Sequence, residues 1–295
     1  MTKTPGEQIA IALLETPARR RFDVVLERKA GPVLVAPPNP MPVGRIISGP
    51  VLPLRIRNLI PGGTTEADSI GYARETSITN SPVVPIGPGG LKAQMDMTYE
   101  TVTSPVRTIP AYLKISAQLW EDYAAFQSWV DARLLYSLSI AEEKQLLNGN
   151  GVAPNLQGLM AVAIAVTGVG ANLIAGVTAG VAQIFGFGYI ADGIVLNPND
   201  WGKALGALGS PALIGNPLSL WGIPLVLSAA MASGSYLVGQ FNPNCQIFDR
   251  DDAAVEVATQ NQDDFVRDLL TVRGEERLAF AIYQPGAFAK GTFTP

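Results

Sequence analysis

The feature that most constrains the fold is an uninterrupted helical pattern between Trp120 and Gly151. Glu121 and Asp122 put negative charge at its start, where the first backbone N–H groups of a helix are free. The run 148–151, Asn-Gly-Asn-Gly, ends the pattern. The sequence predicts a helix roughly 40 Å long, either a spine for the fold or an ordinary core helix. Its apolar residues recur at spacings of three and four and form one face: Tyr123, Phe126, Val130, Leu134, Leu138 and Ala141.

The residue types exclude several kinds of chemistry. The 295 residues include no histidine, which removes histidine-activated nucleophiles and the common zinc sites. Cys245 is the one cysteine, so no intrachain disulfide can form. No P-loop or dinucleotide fingerprint occurs. The net charge of −4, without a dense basic patch, disfavours sequence-specific nucleic-acid binding. We therefore expect no enzyme activity, no catalytic residues, no cofactor and no metal.

An uncharged stretch runs from Gln145 to Ala191, and Leu159–Val177 within it is apolar enough to suggest a membrane span. Gly168, Gly170 and Gly176 interrupt it, and no Lys or Arg flanks it. A buried core segment is therefore the favoured interpretation, and a membrane span the alternative.

Residues 1–49 are predicted to form an arm without a core of its own. The Pro-rich run after Gly31 cannot be helical and must run extended. The arm is either disordered or lies along another surface. No signal peptide is expected, because the apolar run Ile9–Leu14 is too short and its positive charges follow it.

Two alternating segments, Ile70–Ile78 and Met95–Val106, predict a long β-hairpin with a turn-rich tip at 80–90. Its side chains are mostly polar on both faces, and an isolated two-stranded hairpin is marginally stable in water. It therefore either rests on another subunit or forms a mobile surface loop.

The remaining chain predicts short elements of an α+β fold. A short helix is expected to carry Trp201, Leu205 and Leu208. Predicted strands are Tyr189–Leu196, Gly222–Leu227, Ser235–Val238, Ala254–Ala258, Phe265–Arg273 and Glu275–Tyr283.

Two groups of carboxylates stand out. Asp249, Asp251 and Asp252 lack the spacing of a calcium loop and are interpreted as a solvated turn. Glu275 and Glu276 are adjacent on a predicted strand and must point to opposite faces, so one of them enters an interior or an interface.

Several stretches together resemble one family. LYSLSIAEEKQLLNGNG, GIVLNPNDW, WGIPLV and the tail DDFVRDLLTVRGEERLAFAIYQPGAFAKGTF occur in this order. Their order and wording resemble the major capsid proteins of tailed phages with the Hong Kong 97 fold, over about residues 50–295. The resemblance implies an α+β capsid fold with an N-terminal arm, an extended hairpin loop, a peripheral domain with a spine helix at Asp122–Asn148, and an axial domain.

The resemblance also implies a division of the chain. The expected boundaries are 1–49 for the arm, 50–66 for a peripheral segment, 67–108 for the extended loop, 109–157 for the peripheral domain with its spine helix, 158–253 for the axial domain, and 254–295 for the peripheral sheet and C-terminal segment.

Some members of this family cross-link their subunits through a lysine, an asparagine and an assisting glutamate. By local motif these positions fall on Lys92 in GLKAQMDMTY, Asp268 in FVRDLL and Glu275 in GEERLA. Because an aspartate stands where the family has asparagine, we expect a salt bridge between subunits rather than the covalent bond.

The implied function is that of a structural shell protein. Hexamers and pentamers of the chain would close an icosahedral head around double-stranded DNA, contacted non-specifically. Portal, scaffolding and decoration proteins are implied further partners, with no membrane partner, and assembly is expected in the host cytoplasm before the protein resides in the virion. An encapsulin-type nanocompartment shell is the alternative.

Overall fold

The computed structural model describes residues 56–79, 87–90, 95–122, 124–168, 170–208 and 218–294, which all lie in one folding unit, Val33–Pro295. The predicted arm 1–49, most of the hairpin tip and Lys92 lie outside the described residues. The helices are α1 Ile56–Leu59, α2 Ala117–Asp122, α3 Ala124–Asn148, α4 Leu159–Val162, α5 Leu173–Gly186 and α6 Pro198–Leu208. The strands are β1 Gly62–Thr64, β2 Ser69–Thr79, β3 Asp96–Pro105, β4 Arg107–Ser116, β5 Ile164–Ala165, β6 Gly193–Leu196, β7 Ser219–Leu220, β8 Ile223–Leu227, β9 Ser235–Gly239, β10 Cys245–Ala258, β11 Leu269–Ile282 and β12 Phe288–Thr292.

The long helix α3 packs on a four-stranded sheet with the order β1-β10-β11-β4. Val130, Leu134 and Leu138 are buried, as the helical spacing predicts. Gly274 on β11 lets the helix come close, because a Cβ there would lie 3.0 Å from Cγ of Leu134 and 3.1 Å from Cδ1 of Leu138. The prediction of a long helix ending at Asn148 is therefore confirmed, with its apolar face on β11.

A second sheet has six strands in the order β5-β12-β9-β6-β8-β7. Helix α5 covers it, and Gly176 and Gly180 allow the close approach, since a Cβ at either would come within 2.9 Å of the Tyr236 ring. Leu173 and Val177 of this helix are buried, so the apolar stretch is a core segment as predicted. Among the described residues, no helix is long and apolar enough to cross a membrane.

The hairpin β2–β3 is anchored on β11 at its root. Ser104 Oγ donates to the carbonyl of Phe280 at 2.6 Å, and Nη2 of Arg74 donates to the carbonyl of Ile282 at 2.7 Å. The ring of Tyr72 meets that of Tyr283 edge-on, with 5.0 Å between centroids. Beyond the root, most residues of both strands are exposed. The structure thus confirms the predicted hairpin.

The prediction of a strand over Phe265–Arg273 is wrong at its start. Residues 262–268 form a turn, and β11 begins only at Leu269. The N–H of Leu269 donates to the carbonyl of Asp264 at 2.9 Å, and Asp268 has a positive φ of 52°. An extended strand cannot continue through that backbone conformation.

Two of the expected domain boundaries also do not match the strand pairing within the two sheets. Strand β10 begins at Cys245 and pairs with β11 over its whole length, so 245–253 belongs to the four-stranded sheet. Strand β12 pairs with β9 and β5, which places it in the six-stranded sheet. The interpretation of Asp249, Asp251 and Asp252 as a solvated turn is also wrong, because they lie on β10, at two shifts of its register against β11. A strand's sheet depends on distant pairing partners, which local patterns do not specify.

Candidate functional site

Glu275 and Glu276 point to opposite faces of β11, as strand alternation requires. The Glu275 side chain is 30% exposed and forms an ion pair of 3.3 Å with Arg273. Glu276 is only 7% exposed, and its Oε1 accepts no hydrogen bond from any residue the structure describes. The prediction that one of the pair enters an interior is confirmed, and the buried one is Glu276.

Glu276 faces a cluster of charges between α3 and the four-stranded sheet. Arg57 of α1 binds Glu142 of α3 through Nη1 and Asp249 of β10 through Nη2. Glu142 is buried, whereas 42% of the Arg57 side chain is exposed. Among the described residues, the cluster therefore holds three carboxylates against a single guanidinium. We call Arg57, Glu142, Asp249 and Glu276 the carboxylate cluster.

Burial controls the protonation of this cluster. It raises the pKa of Glu276 to about 7, with the charges of Glu142 and Asp249 adding to the rise and Arg57 opposing it. Burial also raises the pKa of Glu142, against the lowering effect of Arg57. Desolvation disfavours the charged form of a carboxyl, and nearby negative charge does the same. The cluster therefore retains a proton at pH values where an ordinary glutamate has lost it.

The next residue of α3 connects the helix to the other sheet. Glu143 is buried, and its Oε1 accepts a hydrogen bond from Ser228 Oγ, just beyond β8. Asn148 Nδ2 donates to the carbonyl of Ala230 at 2.7 Å in the same loop. Because successive residues of a helix point about 100° apart, Glu142 and Glu143 face different neighbours. Adjacent glutamates thus tie the long helix to Arg57, which also binds Asp249 of β10, and to the loop after β8.

A signal for this cluster was present in the sequence. Glu142 follows Val130, Leu134 and Leu138 at the same spacing of four, so it occupies the next position of the apolar face. Glu276 likewise lies two residues from the buried Gly274 and Leu278. Because α3 and β11 each carry a carboxylate at a core position, the sequence predicts that these two carboxylates lie near each other. Strand alternation indicates Glu276 as a candidate, but no prediction from the sequence includes Glu142, Arg57 or the role of Asp249.

Asp268 lies at the end of a turn that is tightly held. The buried Asp264 accepts a hydrogen bond of 2.6 Å from Lys114 Nζ on β4 and another from Thr271 Oγ1 on β11. The carbonyl of Asp268 accepts from the N–H of Ala117 at 2.8 Å. At the tip of this turn, Phe265 is 81% and Val266 is 84% exposed. The turn presents apolar side chains and a carboxylate to the outside on a fixed backbone.

The three predicted cross-link residues are not brought together by the described part of one subunit. Lys92 lies outside the described residues. Asp268 precedes the first residue of β11, and Glu275 lies seven positions further on, a separation of roughly 20 Å along a strand. Asp268 is exposed and Glu275 partly so. Any meeting of these residues requires more than one copy of the chain.

No metal centre is indicated by these carboxylates. Within the described ranges, no group of three or more His, Cys, Asp or Glu side chains is placed to hold a metal ion. In the carboxylate cluster the positive charge comes from Arg57. Cys245 is buried, and that burial raises the pKa of its thiol far above the ordinary value. The thiol is therefore protonated at neutral pH and chemically inert.

Comparison with known proteins identifies the family. A model of the phage capsid family matches residues 38–293. The major capsid protein of Enterobacteria phage HK97 is 36% identical over 268 residues, which are 87% of this chain and 69% of that protein. The chain belongs to the phage capsid family. This membership assigns it the structural role of a tailed-phage major capsid protein, and the encapsulin-type alternative is not favoured.

Solved capsid structures share the fold. The capsid of a native GTA particle, computed with C5 symmetry, has a TM-score of 0.67 at 17% identity and covers 87% of this chain and 95% of that one. A structure from Mycobacterium phage Bobi has a TM-score of 0.67 at 15% identity, covering 87% and 96%. Identities this low show the fold alone. Together with the family match and the 36% identity to the HK97 protein, these structures confirm the Hong Kong 97-type α+β capsid fold that the resemblance implied.

Proposed function

We propose that copies of this chain assemble as hexamers and pentamers into the icosahedral head of a tailed phage that encloses double-stranded DNA. The observation that carries the proposal is the hairpin β2–β3, which is anchored at its root and exposed on both faces beyond it. A hairpin of this length is marginally stable by itself. Apolar side chains at Met95, Met97 and Tyr99 lie exposed on it, and a neighbouring subunit would cover them.

The two sheets support a division of the chain into domains with separate roles. We assign α3, as the spine helix, and the four-stranded sheet to a peripheral domain, and the six-stranded sheet with α5 and α6 to an axial domain. The hairpin is the extended loop, and 1–49, outside the described residues, is an arm that straps a neighbour. Scaffolding, portal and decoration proteins are proposed as further partners, contacts to packaged DNA as non-specific, and the host cytoplasm as the place of assembly.

Images of the purified chain test the assembly directly. Negative-stain electron microscopy should show closed shells or capsomers, and sedimentation should show species far larger than one chain of 31.2 kDa. Capsid interfaces of this kind should bury more than the roughly 2,000 Å² of ordinary complexes. A monodisperse monomer at micromolar concentration, with its hairpin resistant to proteases, contradicts the proposal.

We further propose that Lys92, Asp268 and Glu275 of different subunits meet without forming a covalent bond. A neutral amine attacks a carbonyl, but the ionised carboxylate of Asp268 repels a nucleophile and binds the ammonium of Lys92 instead. The exposed position of Asp268 on a firmly held turn supports such a contact. A buried pair of this kind adds little net stability, because desolvation offsets the attraction.

Denaturing gels with a restoring substitution decide between ion pair and covalent link. Particles of the unaltered chain, boiled in SDS with reductant, should give one band near 31.2 kDa. Asp268→Asn supplies an amide whose nitrogen can leave as ammonia when the amine of Lys92 attacks. This variant should therefore produce a ladder of multimers. Adding Lys92→Arg to that variant should abolish the ladder. A ladder from the unaltered chain shows that aspartate does react, and no ladder from Asp268→Asn shows that the three residues do not meet.

A further inference from the structure

We propose that Glu276 and Glu142 form a proton-binding site whose occupancy determines how tightly the long helix α3 is held against the four-stranded sheet. The inference concerns one subunit and does not depend on the proposed assembly. The site joins an α3 residue to a β11 residue across the main packing surface of the sheet. A change in its charge therefore acts on that packing directly.

The geometry leaves the buried carboxylates short of positive charge. The two terminal nitrogens of Arg57 are both engaged, one with Glu142 and the other with Asp249. Only 7% of Glu276 is exposed, yet its Oε1 has no hydrogen-bond donor among the described residues. An ionised carboxylate in such a place is costly unless it is paired. A proton on the Glu276–Glu142 pair removes one of the two uncompensated charges.

Among the residues that the structure describes, the charged groups that act on Glu276 favour its protonation, with one exception. Glu142 and Asp249 face Glu276 from α3 and β10, and Glu143 acts on Glu142 from the same helix. Arg57 of α1 is the opposing cation. Because the charge of Glu142 raises the pKa of Glu276, the protonation of one carboxyl depends on the charge of the other.

The proton can reach the site from solvent. A cavity of about 120 Å³ is lined by Arg57, Ser139, Glu142 and Glu143, among others. That volume is large enough for water, and the Arg57 side chain beside it is 42% exposed. Water in this cavity can carry a proton between Glu142 and the surrounding solution without unfolding of the sheet.

Loss of the proton should loosen the helix. With Glu142, Asp249 and Glu276 all ionised, α3 and the sheet repel each other through buried charges at short range. The adjacent Glu143–Ser228 hydrogen bond ties the same turn of α3 to the loop after β8. Movement of this turn therefore reaches both sheets.

The direction with pH follows from the raised pKa. Glu276 titrates near pH 7 in the folded chain, against an ordinary value of 4.5. Between these values the folded chain binds more protons than the unfolded chain, so stability falls as pH rises from about 4.5 to about 7. Well above pH 7 the stability that the bound proton contributes is lost completely, and it no longer changes with pH. Below pH 4.5 it is fully present.

Hydrogen exchange on the full chain tests the site. Protection of the α3 amides at 135–147, corrected for intrinsic exchange rates, should fall by at least about tenfold between pH 5.5 and pH 8.5, the effect of one pKa unit. Glu276→Gln, an uncharged isostere, should keep high protection across this range. The matched control is Glu256→Gln at an exposed position of β10 in the same sheet, which should keep the pH dependence of the unaltered chain.

A second measurement uses the unaltered chain and therefore gives a result even if a variant fails to fold. Infrared spectra of the unaltered chain should show a protonated carboxyl band at pH 6.5, where ordinary carboxyls are ionised, and lose it by pH 8.5. Glu276→Gln should lack this band at pH 6.5. Absence of the band from the unaltered chain overturns the proposal. So does a pH dependence of exchange that is the same in Glu276→Gln as in the unaltered chain.

Discussion

The hairpin β2–β3 and the strand pair β10–β11 are built alike and end up in opposite environments. Both are antiparallel pairs of strands of ten or more residues, and both contain register shifts. Yet the last five residues of β11 are all buried, whereas Tyr99 at the middle of β3 is 61% exposed. The difference lies in what covers each pair, since α3 lies over β11 and no element that the structure describes covers the outer part of the hairpin in this way. Strand formation and burial are therefore separate properties in this protein.

The largest expected effect comes from the covered pair. Leu138 of α3 is buried against β11 at Gly274, so Leu138→Ala should lower the free energy of unfolding by about 2–5 kcal/mol through lost transfer energy and the cavity left behind. Chemical denaturation of the full chain measures this. Ser137→Ala, at the exposed neighbouring position, should cost little. Equal losses at the two sites would show that the face of α3 toward the sheet is assigned wrongly.

An intermediate effect is expected at the junction between the two pairs. Ser104 of β3 is buried and its hydroxyl binds the carbonyl of Phe280 on β11. Ser104→Ala leaves that carbonyl without its side-chain donor and should cost about 1–2 kcal/mol of stability. Thr103→Ala, an exposed neighbour on the same strand, serves as the control. Faster proteolysis of the hairpin in Ser104→Ala alone is expected, and equal cleavage in both variants would mean that this bond does not hold the root.

The smallest effect on the subunit is expected from the uncovered pair. Tyr99→Ser removes an exposed ring and should change the free energy of unfolding by less than about 0.5 kcal/mol. The same variant should reduce the yield of shells, because the ring is proposed to lie on a neighbour. Thr101→Ser, exposed two residues further along β3, should leave the yield unchanged. Normal shell yield from Tyr99→Ser would remove this face of the hairpin from the proposed interface.

Much of the fold could be predicted because its signals are local. The helical spacing from Val130 to Leu138 and the stop at Asn148 act within a few residues of the chain. The alternation in β2 and β3 is equally local. The turn at 262–268 was missed because Asp264 is held by Lys114, 150 residues away in the sequence. An apolar Phe265-Val266 pair looks like a strand until that contact is known.

The candidate site also combines features that local patterns predict with contacts that they do not predict. Alternation alone required that one of Glu275 and Glu276 point inward, and the structure makes that residue Glu276. The other members of the carboxylate cluster come from α1, α3 and β10. No single stretch of sequence contains their combination.

The sequence by itself determined the period and extent of the long helix, the two strands of the hairpin and the family to which the chain belongs. Each depends on residues close together in the chain or on motifs in a linear order. The tertiary structure alone places β12 in the six-stranded sheet and Glu276 beside the two carboxylates that bind Arg57. It also decided which pair of strands is buried. Those outcomes depend on desolvation and pairing between segments far apart in the chain, and a pattern within one segment carries no information about its distant partner.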